Sequence, residues 1–354
     1  MSRPLAKSLL FTGALIALFL FVVEAASQAM FRVRHGQSPR AFAAGHLYRY
    51  EHRYRTDHPY LPYIARKGAY DILRFNSLGD RGPEPESPKR RIRLVCYGGS
   101  TTFDAAHSDE ETWPGMLQAM LGTGRHEVIN AAQNGATSAD TLVNFALLHA
   151  DLRPDFLLVL DGINDLESSY QTGFRSDYSH RRRKIPDFPF PFLDSLPRWL
   201  DRSALWVQFR FSLTGDQRDL HELYTIHGEF DFERGPFGLE AFRRNLLSLD
   251  AMAAAHGAKL VLGTPPFYRA KADKLQWALE APGIPFGAPW QKGIDAENRV
   301  IRELARTRKN VRLAEVAGSF IPSERTMTDF CHLNADGNRK VAEAFYAALK
   351  RAGI

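Results

Sequence analysis

Two cysteines in 354 residues, Cys96 and Cys331, leave no CxxC pair and no Cys/His set with zinc spacing. This excludes a disulfide-scaffolded fold and gives no zinc-ligand pattern. Whether the two cysteines pair is left open, and so is the redox compartment. No internal repeat and no long low-complexity run is present. Basic residues are not gathered on one element: the formal charge of +6 comes from 46 Lys and Arg against 40 Asp and Glu, interspersed along the chain. A nucleic-acid footprint would concentrate them, so no nucleic-acid partner is expected. Long apolar runs are scarce as well, and there is one.

That run is Ser8–Val23, preceded by Arg3 and Lys7. Alone it is short for a bilayer, which needs about 20 residues. Continued through Ala25, Ala26 and Ala29 it is long enough, and Glu24 then falls near an interface. The segment 1–30 reads as a single-pass anchor that places the rest outside the cytoplasm. A secreted protein cut after Val23-Glu24-Ala25 is the alternative. Arg32, Arg34 and Arg40 after the run weaken the charge argument for orientation.

Residues 31–90 read as a polar, aromatic-rich extension. His58-Pro59-Tyr60-Leu61-Pro62-Tyr63 is extended, because each proline excludes the helical region for its predecessor. Phe75–Pro83 reads as a tight turn or hairpin. From residue 91 to 354 apolar strand patterns alternate with helical ones. Strands are predicted at 91–97, 127–130, 155–160, 259–263 and 311–314. Helices are predicted at 113–121, 138–152, 239–256, 294–308 and 336–349. About five alternations predict a parallel sheet covered by helices on both faces. Residues 166–237 break the pattern with Arg181-Arg182-Arg183-Lys184, a Phe-Pro repeat at 188–192, and Trp199 and Trp206. They read as a lid-like insertion over the site.

The chemistry gathers at strand ends. Val95-Cys96-Tyr97-Gly98-Gly99-Ser100 runs a buried strand into two glycines and a serine. Such a serine commonly just caps a turn. Three further loops change its meaning. Gly135 follows the second strand, Asn164 follows the third, and Asp329-Phe330-Cys331-His332 precedes the last helix. In an open parallel sheet these loops converge on one edge. Ser100 can then act as nucleophile, His332 as its base, and Asp329 as the group that orients the imidazole. The N–H groups of Ser100 and Gly135 and the amide of Asn164 can hold a developing oxyanion. Arg81 is a candidate substrate contact, against the plainer reading that it braces a turn. Arg181–Lys184 reads first as a solvated charge run.

These blocks resemble the SGNH, or GDSL-type, hydrolases. Gly98-Gly99-Ser100-Thr101 is similar to the serine block, with Gly99 where the named motif has Asp. Asn130–Gly135 matches the glycine block, Gly162-Ile163-Asn164-Asp165 the Gly-x-Asn-Asp block, and Asp329–His332 the Asp-x-x-His block. His58-Pro59-Tyr60 and Asn76–Gly82 look like the lead-in of membrane-anchored bacterial members. The resemblance implies a flavodoxin-like three-layer α/β/α fold and a serine esterase or acyl-transfer mechanism without metal or cofactor. A classical α/β-hydrolase is set aside, because its elbow needs a second glycine after the serine and position 102 is Thr. A short acyl ester, most simply O-acetyl, on an envelope or extracellular saccharide is the expected substrate, with Tyr170, Phe174, Tyr178, Trp199 and Trp206 offered to sugar faces. A saccharide O-acyltransferase, a lipid esterase and a non-catalytic carbohydrate-binding or scaffold protein are the alternatives.

Overall fold

The computed structural model describes residues 3–46, 54–56, 58–70, 72–181, 193, 196–215, 231–232, 238–275 and 287–354. The Phe-Pro repeat and Arg182–Lys184 lie outside these residues. The chain divides into two compact units, one of residues 1–53 with 185–227, the other of residues 54–184 with 228–354. The stretch expected as one insertion is therefore shared: its middle groups with the N-terminal segment and its two ends with the sheet.

In the first unit, one helix runs Arg3–His35 and a shorter one Pro39–His46. Helix Ala204–Thr214 joins them, starting at Ser203, whose hydroxyl accepts from the Trp206 N–H. Phe31, Phe42, Ala43, Ala204 and Val207 form the small core of this unit. Trp206, partly buried, packs against that core.

The second unit opens with two short hairpins, β1 (Arg55–Thr56) with β2 (Ile64–Ala65) and β3 (Gly68–Tyr70) with β4 (Leu73–Phe75). The turn read at 75–83 is present: Asn76 N–H donates to the Asp80 carbonyl and Gly79 N–H to that of Asn76. The main sheet has five strands, β5 (Ile92–Gly98), β6 (His126–Asn130), β7 (Phe156–Leu160), β8 (Lys259–Gly263) and β9 (Val311–Ala314). Their spatial order is β6-β5-β7-β8-β9, and all four pairings are parallel. This is the expected flavodoxin-like order, in which the connection reverses direction between β5 and β7.

The strand residues explain the three layers. Val95 and Tyr97 of β5 face one side with Leu157, Val159, Leu260 and Leu262, against Phe242, Leu246, Val300 and Leu304 of helices 239–255 and 287–307. Leu94 and Cys96 face the other with Leu158 and Val261, against Trp113, Leu117, Val341 and Phe345 of helices 113–121 and 335–351. Side chains alternate faces along a strand, so a strand covered on both sides must be apolar throughout. The helix expected over 138–152 is α-helical only to Asn144. It continues through one wide turn, Phe145–His149, and a tight turn, Ala150–Leu152. The one polar residue of its apolar stripe, His149, is buried, with Nε2 at 2.9 Å from Asp80 Oδ1. Cys96 and Cys331 are both buried free thiols.

Candidate active site

Each candidate catalytic or oxyanion residue sits in a loop past the carboxyl end of a strand or just before the last helix. β5 ends at Gly98, whose φ of 154° L side chains rarely adopt and whose Cβ would collide with Thr102 and the Leu160 carbonyl. Glycine is what lets the chain turn here. Ser100 then opens the four-residue helix Ser100–Phe103. The glycine loop is tied to the same strand, since Ala131 N–H donates to the Cys96 carbonyl and Gln133 N–H to that of Gly98. Gly135 has φ 74°, again a glycine conformation. Helix Ile163–Tyr170 begins right after β7 and carries Asn164 in its first turn.

The structure brings Ser100, His332 and Asp329 into one line. Ser100 Oγ lies 2.8 Å from His332 Nε2, and His332 Nδ1 lies 2.6 Å from Asp329 Oδ2. The other carboxylate oxygen of Asp329 accepts the backbone N–H groups of Cys331 at 2.8 Å and His332 at 2.7 Å. These donors outweigh burial, which alone would raise the carboxyl, and hold Asp329 down to about 2. The acid is therefore ionised where the imidazole needs it. His332 is raised above its ordinary value against burial: the Cys331 sulfur, 3.6 Å from Nδ1, would raise it as a thiolate, and the Asp329 carboxylate raises it as an ion. Burial pushes the Cys331 thiol up, so near neutral pH the sulfur carries no charge and Asp329 supplies the effect.

Asn164 Nδ2 donates to the Ala136 carbonyl at 2.8 Å, and a Cβ added to Gly99 would collide with that same nitrogen. The amide of Asn164 is thus packed against the backbone that leads into Ser100. Directly under it, Asp165 accepts from the Ser138 N–H at 2.9 Å, the Ser138 hydroxyl and the Tyr178 hydroxyl at 2.7 Å, binding the third block to the helix after the second.

Arg81, a candidate substrate contact, is placed elsewhere. It is 3% exposed, pairs with Asp109 at 2.7 Å, and donates to the carbonyls of Phe103, Asp104 and His107. Its guanidinium is used up bracing the turn after Ser100, which corrects the substrate reading. Tyr170 and Tyr178 are likewise core residues. The Tyr170 hydroxyl donates to the Pro289 carbonyl at 2.7 Å and that of Tyr178 to Asp165, so neither offers a face to a sugar.

Arg181, expected on a solvated charge run, takes part in the site. Arg181 donates to the Gly135 carbonyl at 3.2 Å, to the Asn164 carbonyl at 3.2 Å and to the Ser168 hydroxyl at 2.7 Å. One guanidinium thus joins the two loops that carry Gly135 and Asn164. Its position in a basic run was the sole available signal, and it pointed to solvent. Among the described residues, Asp329, Cys331 and His332 place potential metal-ligating atoms within 4.8 Å of one another; two of the three already serve the Ser100 line.

Residues 96–340 match the GDSL-like Lipase/Acylhydrolase family. No curated protein matches the chain by sequence. Among solved structures, the chain is similar to a catalytic mutant of Axe2, an acetylxylan esterase from Geobacillus stearothermophilus, at 15% identity and TM-score 0.43, covering 74% of this chain and 94% of that one. It is also similar to the acetyl xylan esterase AlAXEase, at 16% identity and TM-score 0.44, covering 73% and 100%. A third is LAE5, an alpha/beta hydrolase enzyme from the Lake Arreo metagenome, at 20% identity and TM-score 0.44, covering 73% and 95%.

Proposed function

The chain belongs to the GDSL-like lipase/acylhydrolase family, and on that premise we propose that it is a serine esterase that removes short acyl groups, O-acetyl foremost, from an envelope or extracellular saccharide. The observation that carries the esterase reading is the unbroken line Ser100 Oγ–His332 Nε2 and His332 Nδ1–Asp329 Oδ2. Ser100 Oγ attacks the ester carbonyl as His332 Nε2 takes its proton. Ionised Asp329 stabilises the imidazolium and fixes the tautomer that leaves Nε2 free to accept. The carbonyl oxygen becomes an oxyanion, met by the N–H groups of Ser100 and Gly135 and the Asn164 amide. His332 returns the proton to the leaving alcohol, and an acyl group remains on Ser100. Water then repeats the sequence and releases the acid.

The substrate class rests on place. An apolar helix near the N-terminus, whether anchor or signal, would put the catalytic unit among envelope or extracellular material. Two measurements test the reading. A fluorophosphonate probe should label the wild type and not Ser100→Ala; equal labelling removes the nucleophile assignment. Ser100→Ala and His332→Ala should each lower turnover on the order of 10³-fold or more. Among p-nitrophenyl esters, rates should fall beyond about four carbons, since a small closed pocket gains little from added methylenes. Rates that climb through long chains would assign a lipid substrate instead.

A further inference from the structure

Within the N-terminal unit, helix Ala204–Thr214 is apolar at seven of its eleven positions; its one charged residue, Arg210, is buried, and Gln208 and Ser212 are its exposed polar residues. Its inner face, Ala204, Val207 and Phe211, packs on Phe31 and Phe42, with the Phe42 and Phe211 rings 5.2 Å apart. Among the described residues, nothing covers its outer face. Leu205, Phe209 and Leu213, spaced by four residues, are 41%, 53% and 40% exposed, and Trp199 just before the helix is 66% exposed. A helix that buries one apolar face and leaves a row of large apolar side chains on the other calls for a second apolar environment, a larger core or lipid. The core of this unit is small.

The N-terminus of the same helix explains a charge in the long helix. Leu10–His35 is apolar enough to cross a membrane, and none of its most apolar stretch is buried. Glu24 interrupts it. Its carboxylate accepts from the Ser203 hydroxyl at 2.8 Å, the Ala204 N–H at 2.7 Å, the Leu205 N–H at 3.3 Å and the Gln28 amide at 2.8 Å. An acid at membrane depth is costly unless it is paired, and a helix N-terminus supplies both donors and favourable dipole. At 1.5 Å per residue, Glu24 lies about 21 Å along the helix from Leu10, and Phe31 about 31 Å. Against a hydrocarbon core of about 30 Å, helix 204–214 begins inside the far leaflet and runs beside the anchor toward its boundary. At about 16 Å it is too short to span.

We propose that helix 204–214 is a second membrane-embedded element: it caps Glu24 within the bilayer and presents Leu205, Phe209 and Leu213 to lipid. This rests on the anchor reading of the N-terminal helix. The outer face commits to lipid because it is continuous with the lipid-facing anchor and, from Ala204 to Thr214, carries no exposed charge, its exposed polar residues being the uncharged Gln208 and Ser212.

The test uses full-length protein in phosphatidylcholine–phosphatidylglycerol vesicles, with a nitroxide on Phe19→Cys, Leu205→Cys, Phe209→Cys, Leu213→Cys or Ile321→Cys, one at a time. The native thiols are buried. Ile321, 87% exposed and in the catalytic unit, is the aqueous reference. Relaxation by oxygen should exceed that by a water-soluble nickel chelate at 19, 205, 209 and 213, and the order should reverse at 321. If position 19 reads lipid and position 209 reads water, the proposal fails while the anchor stands. If 19 also reads water, the anchor reading itself fails. Dipolar broadening at 209 without oxygen access would mean that a second copy covers the face, which also overturns the proposal.

Discussion

Gly99 and Asn164 occupy adjoining space, so that any side chain at position 99 would overlap the Asn164 amide nitrogen. Position 99 is where the serine block departs from its named form. In this chain the absence of a Cβ lets the amide lie against the backbone entering Ser100. Gly99→Ala should displace that amide and lower kcat, by up to the order of 10²-fold that one oxyanion donor contributes. Asn164→Ala should cost about the same. If Gly99 acts through Asn164, the double variant should be little worse than either single one, a non-additivity that steady-state kinetics reads directly. Additive losses would separate the two residues.

Arg181 is a positioning residue in the same sense. It contacts the Gly135 and Asn164 carbonyls rather than the reacting atoms. Charge-assisted hydrogen bonds contribute about 1.5–3 kcal/mol, so Arg181→Ala should lower kcat about 10-fold or more with KM little changed. A lysine reaches one carbonyl and lacks the planar fork, so Arg181→Lys should not restore the rate. Affinity for a phosphonate transition-state analogue should fall in step with kcat/KM. A change confined to KM would instead place Arg181 on the substrate.

The acidic limb of kcat/KM reports the proton on His332, which must be off for the ring to act as base. A raised imidazole pKa moves that limb upward from the ordinary value near 6.5. The sign follows from the partner: Asp329 is ionised above about 2 and favours imidazolium across the working range. Asp329→Asn should therefore shift the limb to lower pH while cutting kcat sharply, by about 10⁴-fold in comparable triads. Cys331→Ala should leave the limb in place if its thiol is neutral there. A limb that follows Cys331 and not Asp329 would reverse the assignment.

Local patterns carried most of the architecture. Leu94, Val95, Cys96 and Tyr97 are apolar in succession because each face of β5 is covered, and this reads directly as a buried strand. Ser100, Gly135, Asn164 and His332 were legible because each lies in a short block at a strand end, where topology alone brings them together. What was hidden depends on partners far along the chain. Arg181 reaches back 46 residues to Gly135, and Glu24 meets Ser203 across 179. Tyr178 looked like a lid aromatic because its hydroxyl partner, Asp165, cannot be read from composition. Arg81 shows the same limit, since its Asp109 and its three carbonyls become neighbours only after the chain has turned past Ser100.

Asp161, Asp165 and Glu297 form a buried acidic group beneath the turn that delivers Asn164. Burial raises all three, with Asp165 pushed up to about 6 and its charge raising the other two further. Glu297 comes from helix 287–307, and its Oε2 lies 2.8 Å from where a Cβ on Gly162 would be. These acids hold protons more tightly in the folded state than in the unfolded chain. Linkage then requires folding stability to fall as pH rises above the ordinary carboxylate range near 4, through about 6 for Asp165, with Asp161 and Glu297, also raised by burial, contributing in the same direction. Glu297→Gln keeps the shape and a permanent donor while removing one ionisation. Its Tm should decline less than that of the wild type between neutral and alkaline pH, and the two curves should converge toward acid, where Glu297 is protonated anyway. The same ionisation, placed under Gly162, should press on the Asn164 turn and give the wild type an alkaline loss of kcat that Glu297→Gln relieves. Parallel Tm curves across the whole range would show that Glu297 does not titrate with folding, and the alkaline limb would then belong to another group.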